Sequence, residues 1–485
     1  AVQMMAGLPF VDASRIGVTG HSNGALASRT AVLLDNEAET PLIAAALLVS
    51  NDAVYKNDED QYYNMFGSRD AGIVACQYDE FFHRVKQADG SRSAPRDYIH
   101  QATAQSFLHF GQDPTGLEAR SSYTLYKENV DGQEAIRVIY NPEQIHPWAH
   151  FSGTVVASSL EFFDNALGAP KAIPYTSQVW QWKAAFNFLG LVGIAILLVS
   201  LTKVLVGTKA FAGLKADKEV LPAPALSGKA KMWFWASSAL ATIFSFCVYM
   251  FGYGPISKML PSFMHQSPPW FIGVWAALCG LFGLLLVWIG SKVTGVKADC
   301  QANGVKIGGK KLGLTVLLAL IVVAAAYGLV FAADFFFKTD FRLWVLTLKA
   351  FTVSKLPIIL CYLPLFLLYY VPNSIVINSY NYFEMGKKPW VNTAVNALFN
   401  ALASAIMIVV MYSCFRITGH LPNEFFPNFG GSIIGIWLFP VVVILPLAAV
   451  VSRKIFKETR NPYLAGIIMA VMVTIMSCTN TLTQL

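Results

Sequence analysis

Charge is scarce in this chain. Only 13% of its 485 residues are charged, whereas a soluble protein carries about 25%, so much of the chain is expected to lie in lipid. The scarcity is uneven. Polar clusters such as Lys56-Asn57-Asp58-Glu59-Asp60 belong to residues 1–180, and from Trp182 onward long apolar runs alternate with short polar loops. Cysteine is equally sparse: Cys76, Cys247, Cys279, Cys300, Cys361, Cys414 and Cys478 are scattered, and only Cys76 falls in the polar part. That excludes an internal disulfide there, and no spacing suggests a metal site, so no cofactor or metal is expected. Nor does the net charge of +7 point to nucleic acid, because the lysines concentrate in loops between apolar runs. No signal peptide precedes the first elements, and the chain opens at Ala1 without methionine. We read it as N-terminally incomplete.

What is present is organised around Gly20-His21-Ser22-Asn23-Gly24. It follows the short run Arg15–Thr19 and precedes Ala25–Leu34, which reads as a helix. Strand, tight turn and helix, with serine at the tip, are the setting of a G-x-S-x-G nucleophile elbow. Side chains at Gly20 or Gly24 are expected to collide with neighbouring backbone. Three further strands are predicted: Pro41–Ser50, Ala71–Glu80 and Ala135–Tyr140. Ser152–Leu167 reads as an amphipathic closing helix, and Tyr98–Phe110 as a short helix.

Ser22, Asp79 and His146 each stand just past a predicted strand end, so all three should converge on one edge of the sheet. Serine is a poor nucleophile unless an imidazole takes its proton, and a carboxylate must orient that imidazole and stabilise its cation. For the acid, Glu80 competes with Asp79, and Asp52 and Asp70 read as loop residues. For the base, His150 is the alternative to His146; it stands close to the helix start, where it could orient or cap. His21 is expected to pack beside the turn, and His83, His100 and His109 to lie on the surface or in a lid. The Asn23 N–H is the expected oxyanion donor.

The run PFVDASRIGVTGHSNGALAS resembles the central segment of the α/β-hydrolase superfamily, nearest to its dienelactone-hydrolase and acyl-peptidase-like branches. The chain order Ser22, Asp79, His146 is that of the superfamily, and the resemblance spans roughly residues 1–168. It implies an α/β fold with a mostly parallel sheet in which the nucleophile strand is fifth. About four strands and two helices, with the loop carrying the second oxyanion donor, would then precede residue 1. It also implies carboxylic-ester chemistry before amide or thioester chemistry, on a small-molecule or lipid-like acyl substrate. Residues 84–134 fall between acid and base, where the superfamily places specificity-setting caps; a plain surface excursion reads equally well.

Eight apolar runs are near the roughly 20 residues that a spanning helix needs. They centre on 184–206, 232–251, 270–290, 312–333, 356–377, 391–415, 432–451 and 463–482. The fifth and seventh contain prolines, which spanning helices tolerate. Segment 341–353 is expected to be an interfacial helix, Asp334 to lie at an interface, and few charges to fall inside the spans. Seventeen Lys and Arg residues fall in loops on one side and six on the other, which assigns the lysine-rich loops to the cytoplasm and the first domain to the outside of what is expected to be a bacterial cell membrane. The expected organisation is a partial hydrolase domain over 1–170, a linker over 171–183 and an all-α membrane domain over 184–485. The leading functional expectation is a membrane-anchored extracytoplasmic serine hydrolase. The alternative is a transporter or membrane sensor whose hydrolase-like domain only binds ligand.

Overall fold

The computed structural model describes residues 1–296, 299–301 and 303–483. The chain divides into two compact units: residues 1–179 together with Tyr412–Phe425, and Trp180–Met411 together with 426–485.

The first unit holds α1 (Val2–Ala6), β1 (Ile16–His21), α2 (Asn23–Asn36), β2 (Ile43–Val49), β3 (Asp70–Val74), α3 (Ala102–Leu108), β4 (Tyr126–Val130), β5 (Gln133–Tyr140) and α4 (Gly153–Leu167). The sheet runs β1-β2-β3-β5-β4. Its first four strands are parallel and β4 joins β5 antiparallel, so this is a mixed sheet flanked by helices. The unbroken apolar character of β2 has a direct cause. Ala46 and Leu48 pack into the core on one face with Ala25 and Val32 of α2. Ala45, Leu47 and Val49 pack on the other with Val155 and Phe162 of α4. A strand buried on both faces cannot alternate in polarity. Ser152 caps α4, its hydroxyl accepting from Val155 N.

Three local expectations change. The predicted strand over 71–80 stops at Val74, and Ala75–Glu80 continues as extended loop. β4 was not anticipated; it forms a hairpin with β5 through Asp131 and Gly132, both at positive φ (53° and 86°), the backbone that a two-residue hairpin turn demands. β5 also takes Arg137 fully into the core, where Nη2 donates to Asn64 Oδ1 and Gly67 O at 2.8 Å each.

In the second unit, α5 (Trp180–Val206), α6 (Gly228–Lys258), α7 (Ser267–Thr294), α8 (Gly309–Phe337), α9 (Leu356–Ile375), α10 (Val391–Thr418), α12 (Ser432–Thr459) and α13 (Pro462–Asn480) account for the apolar runs; the short α11 (Pro422–Phe425) and the end of α10 belong to the first unit. Eight helices among the described residues are long and apolar enough to cross a membrane, the topology of an integral membrane protein. Residues 341–353 are not an interfacial helix. They form a small hairpin of β6 (Phe341–Leu343) and β7 (Leu346–Leu348), because the aromatic and β-branched run around Trp344 (φ 51°) suits paired strands better than a helix. The seventh helix also runs past the predicted end near 451 to Thr459, where Arg460 turns left-handed (φ 50°). Arg453, two residues past the predicted end of this run, is therefore a buried helical residue.

Candidate functional site

Parallel pairing aligns the carboxyl ends of β1, β2, β3 and β5, the edge where open α/β sheets place ligands. The chain carries the pairing past the strand ends. Ser22 N donates to Val49 O at 2.9 Å, Ser50 N to Val74 O at 2.9 Å and Ala75 N to Tyr140 O at 2.7 Å. The loop after β3 then runs beside the loop after β5: Gln77 N donates to Pro142 O at 2.9 Å and Tyr78 N to Gln144 O at 3.0 Å. These bonds hold the two loops together and bring Asp79, the residue after Tyr78, beside His146, two residues after Gln144.

His146 Nδ1 lies 2.9 Å from Asp79 Oδ2 and 3.1 Å from Oδ1. Both side chains are buried. Phe81 N and Phe82 N each donate to Asp79 Oδ1 at 2.9 Å. Burial on its own pushes the Asp79 carboxyl up, but the His146 hydrogen bond and charge, with the Phe82 N–H, hold it below the usual carboxylate range. The Phe81 and Phe82 rings stand 4.8 and 5.6 Å from the imidazole and flank it with apolar surface.

Ser22 sits between β1 and α2 at φ 58°, ψ −117°. That is a sparsely populated conformation for a residue with a side chain, costing on the order of 1–3 kcal/mol. Asn51 Nδ2 donates to Ser22 O at 3.0 Å. Asn23 opens α2, in the first turn, where backbone N–H groups have no intrahelical acceptor and the helix end is electropositive. Among the described residues, no hydrogen bond joins Ser22 Oγ to His146.

The two glycines differ. A Cβ at Gly20 would fall on the carbonyl of Gly24 and within 2.8 Å of Ala25 N, whereas a Cβ at Gly24 would meet nothing within 4 Å. The expected collision holds at Gly20 and is absent at Gly24, which is helical and points its missing side chain into open space.

His21 is more than packing. Its ring nitrogen Nε2 lies 2.9 Å from His146 O, and its ring is 4.7 Å from that of His146 and 5.2 Å from that of His150. Burial, then the neighbouring His146 and His150, push its pKa down to about 4. The ring is neutral at physiological pH, and Nε2–H donates to the carbonyl. His83 departs from its expected surface position: it is fully buried, with Nδ1 3.3 Å from Asp52 Oδ1 and its ring 4.8 Å from Tyr98. His109 is buried as well, with Nε2 2.9 Å from Glu118 O, whereas His100 is exposed.

The residue that the sequence reading undervalued is Glu80. It is buried, accepts from His146 N at 2.8 Å through Oε2, and accepts from Tyr412 OH at 2.6 Å through Oε1. Burial, and then the adjacent Asp79 charge, push its pKa up to about 7. The rest of the Tyr412–Phe425 segment packs nearby within the same unit. Arg84 pairs with Glu424 at 2.6 Å, and Phe415 stands 6.1 Å from the Tyr78 ring. A partner more than 330 residues away in sequence leaves no local pattern to read.

Among the described residues, no group of three or more His, Cys, Asp and Glu side chains could hold a metal ion. No family model, no curated protein and no solved structure matches this chain.

Proposed function

We propose that this protein is a membrane-attached serine hydrolase acting on a carboxylic ester, or on an amide or thioester, through an acyl-enzyme. The observation that carries the reading is the buried Asp79–His146 pair at 2.9 Å, on the sheet edge that also presents Ser22. Asp79 holds Nδ1 of His146, which leaves Nε2 as the basic nitrogen. Ser22 Oγ attacks the carbonyl carbon as His146 takes its proton. The oxyanion is met by the Asn23 N–H at the start of α2. His146 then protonates the leaving group, and water repeats the sequence to release the acid and regenerate Ser22. His21, neutral and bonded to the His146 carbonyl, steadies the turn that carries the base.

The lysine-rich loops support a cytoplasmic face for those loops and an outer face for the first unit. A membrane-impermeant maleimide applied to intact cells should label Ser91→Cys and spare Lys215→Cys; the reverse pattern overturns the orientation.

Labelling with a fluorophosphonate probe tests the chemistry. The folded full chain should label and Ser22→Ala should not. One observation favours a second reading, a transporter or sensor whose first unit only binds ligand: Ser22 Oγ and His146 share no hydrogen bond among the described residues, although unliganded catalytic sites are often loose in this way. Absence of labelling in the folded protein would replace the hydrolase with that reading.

A further inference from the structure

The C-terminal turns of α12 bury a guanidinium that the chain only half satisfies. Arg453 is 3% exposed. Its Nη2 donates to Ile377 O at 2.5 Å and to Asn392 Oδ1 at 3.1 Å, and its Cζ lies over the Tyr382 ring, 3.8 Å from the ring centroid. Nε and Nη1, which carry three of the five guanidinium N–H bonds, have no hydrogen-bond partner among the described residues. No carboxylate of the described residues pairs with it. The aromatic face supplies only part of the missing negative charge. A guanidinium cannot shed its proton as a buried lysine can, and an uncompensated buried charge is costly.

The surroundings are polar and also incomplete. α9 ends in a π-helical turn, Val376–Tyr380, a distortion that recurs at functional sites. In that turn Asn378 donates to Ser452 Oγ at 2.7 Å, next to Arg453. Asn378 Oδ1 and Ser379 Oγ have no partner among the described residues. Both residues are buried. Two cationic donors, a hydroxyl and an amide acceptor are therefore left over where one helix end meets another. Lys454 and Lys457 are exposed on the same turns and add positive potential.

We propose that Arg453 anchors a phosphate-binding site. Nε and Nη1 donate charge-assisted hydrogen bonds to phosphate oxygens, and the Ser379 hydroxyl adds a neutral donor. Asn378 Oδ1 accepts from a phosphate O–H or an adjacent alcohol, which a bare carboxylate lacks. Free phosphate and the headgroup of a glycerol-based anionic lipid share this chemistry.

The test is thermal unfolding of the full chain in a non-ionic detergent at constant ionic strength. One arm titrates inorganic phosphate against chloride, and the other compares phosphatidylglycerol with phosphatidylcholine in mixed micelles. The wild type should be stabilised saturably, and Arg453→Met should need roughly tenfold or more ligand for the same shift, the loss expected for one charge-assisted bond. A response to free phosphate assigns a soluble ligand, and a response to phosphatidylglycerol alone assigns a lipid headgroup. No stabilisation of the wild type in either arm overturns the site, as does an equal response from Arg453→Met. Should Arg453→Met not fold, Ser379→Ala takes its place, with a weakened response expected and an unchanged one overturning the proposal.

Discussion

Gly20→Ala and Gly24→Ala are the same chemical change four residues apart, and the structure gives them opposite signs. At Gly20 the new methyl would land on the Gly24 carbonyl and within 2.8 Å of Ala25 N, where carbon contacts normally begin near 3.5 Å. The obstacles are backbone atoms of the first turn of α2, so no side chain can rotate away; β1 and α2 must separate. Overpacking costs about 1–3 kcal/mol when side chains can yield, which places this case at about 3 kcal/mol or above. At Gly24 the methyl enters open space in a helix, where alanine is favoured over glycine by about 1 kcal/mol. Hydrogen exchange of the detergent-solubilised full chain, read by mass spectrometry over β1 and α2, resolves both. Protection should fall roughly 100-fold in Gly20→Ala and rise several-fold in Gly24→Ala. Fluorophosphonate labelling should fall in Gly20→Ala, because separating β1 from α2 shifts the turn that carries Ser22. Equal protection in the two variants would refute the argument.

Other perturbations follow from the same geometry. Asp79→Asn keeps the shape but removes the charge and favours the wrong imidazole tautomer; the rate of Ser22 labelling should fall by about 10³–10⁴, and a loss below tenfold would separate the pair from the chemistry. Glu80→Gln tests a linkage. The Glu80 pKa is raised from 4.5 to about 7 in the folded protein, so the native state holds the proton more tightly than the unfolded chain. The contribution of this group to stability is therefore greatest below pH 4.5 and is lost as pH rises toward 7, by about 3 kcal/mol in all. Glu80→Gln should lack this slope, so the wild type should weaken relative to the variant between pH 5 and pH 8; parallel curves would contradict the buried setting of Glu80. Tyr412→Phe removes the donor to Glu80 Oε1. It should shift that transition further up in pH, because a lost donor disfavours the carboxylate.

Much of this protein was legible from one residue to the next. The eight long helices follow from apolar runs that have no other stable environment. The strands β1, β2 and β5 and the helix α4 follow from apolar runs and amphipathic periodicity. That Ser22, Asp79 and His146 each follow a parallel strand could be read from the sequence, but Asp79 stands five residues beyond the end of β3, on a loop the sequence reads as strand. β4 could have been found as well: Asp131-Gly132 between two strand-like runs is a short-range hairpin signal. The helix expected over 341–353 failed because a short aromatic and basic segment has no periodicity strong enough to choose helix over strand.

Sequence by itself therefore determined where the chain is apolar enough for lipid, where it bends, and which residue types stand at the sheet edge, because these depend on neighbours within a few positions. Tertiary structure alone decided which polar groups meet. The pairing of loops 75–79 and 140–146 that joins Asp79 to His146, the reach of Tyr412 to Glu80, the burial of His83 and the stranding of Arg453 all depend on contacts between segments distant in sequence. Such contacts are selected by packing and by the cost of leaving buried polar groups unpaired, and no local pattern records them.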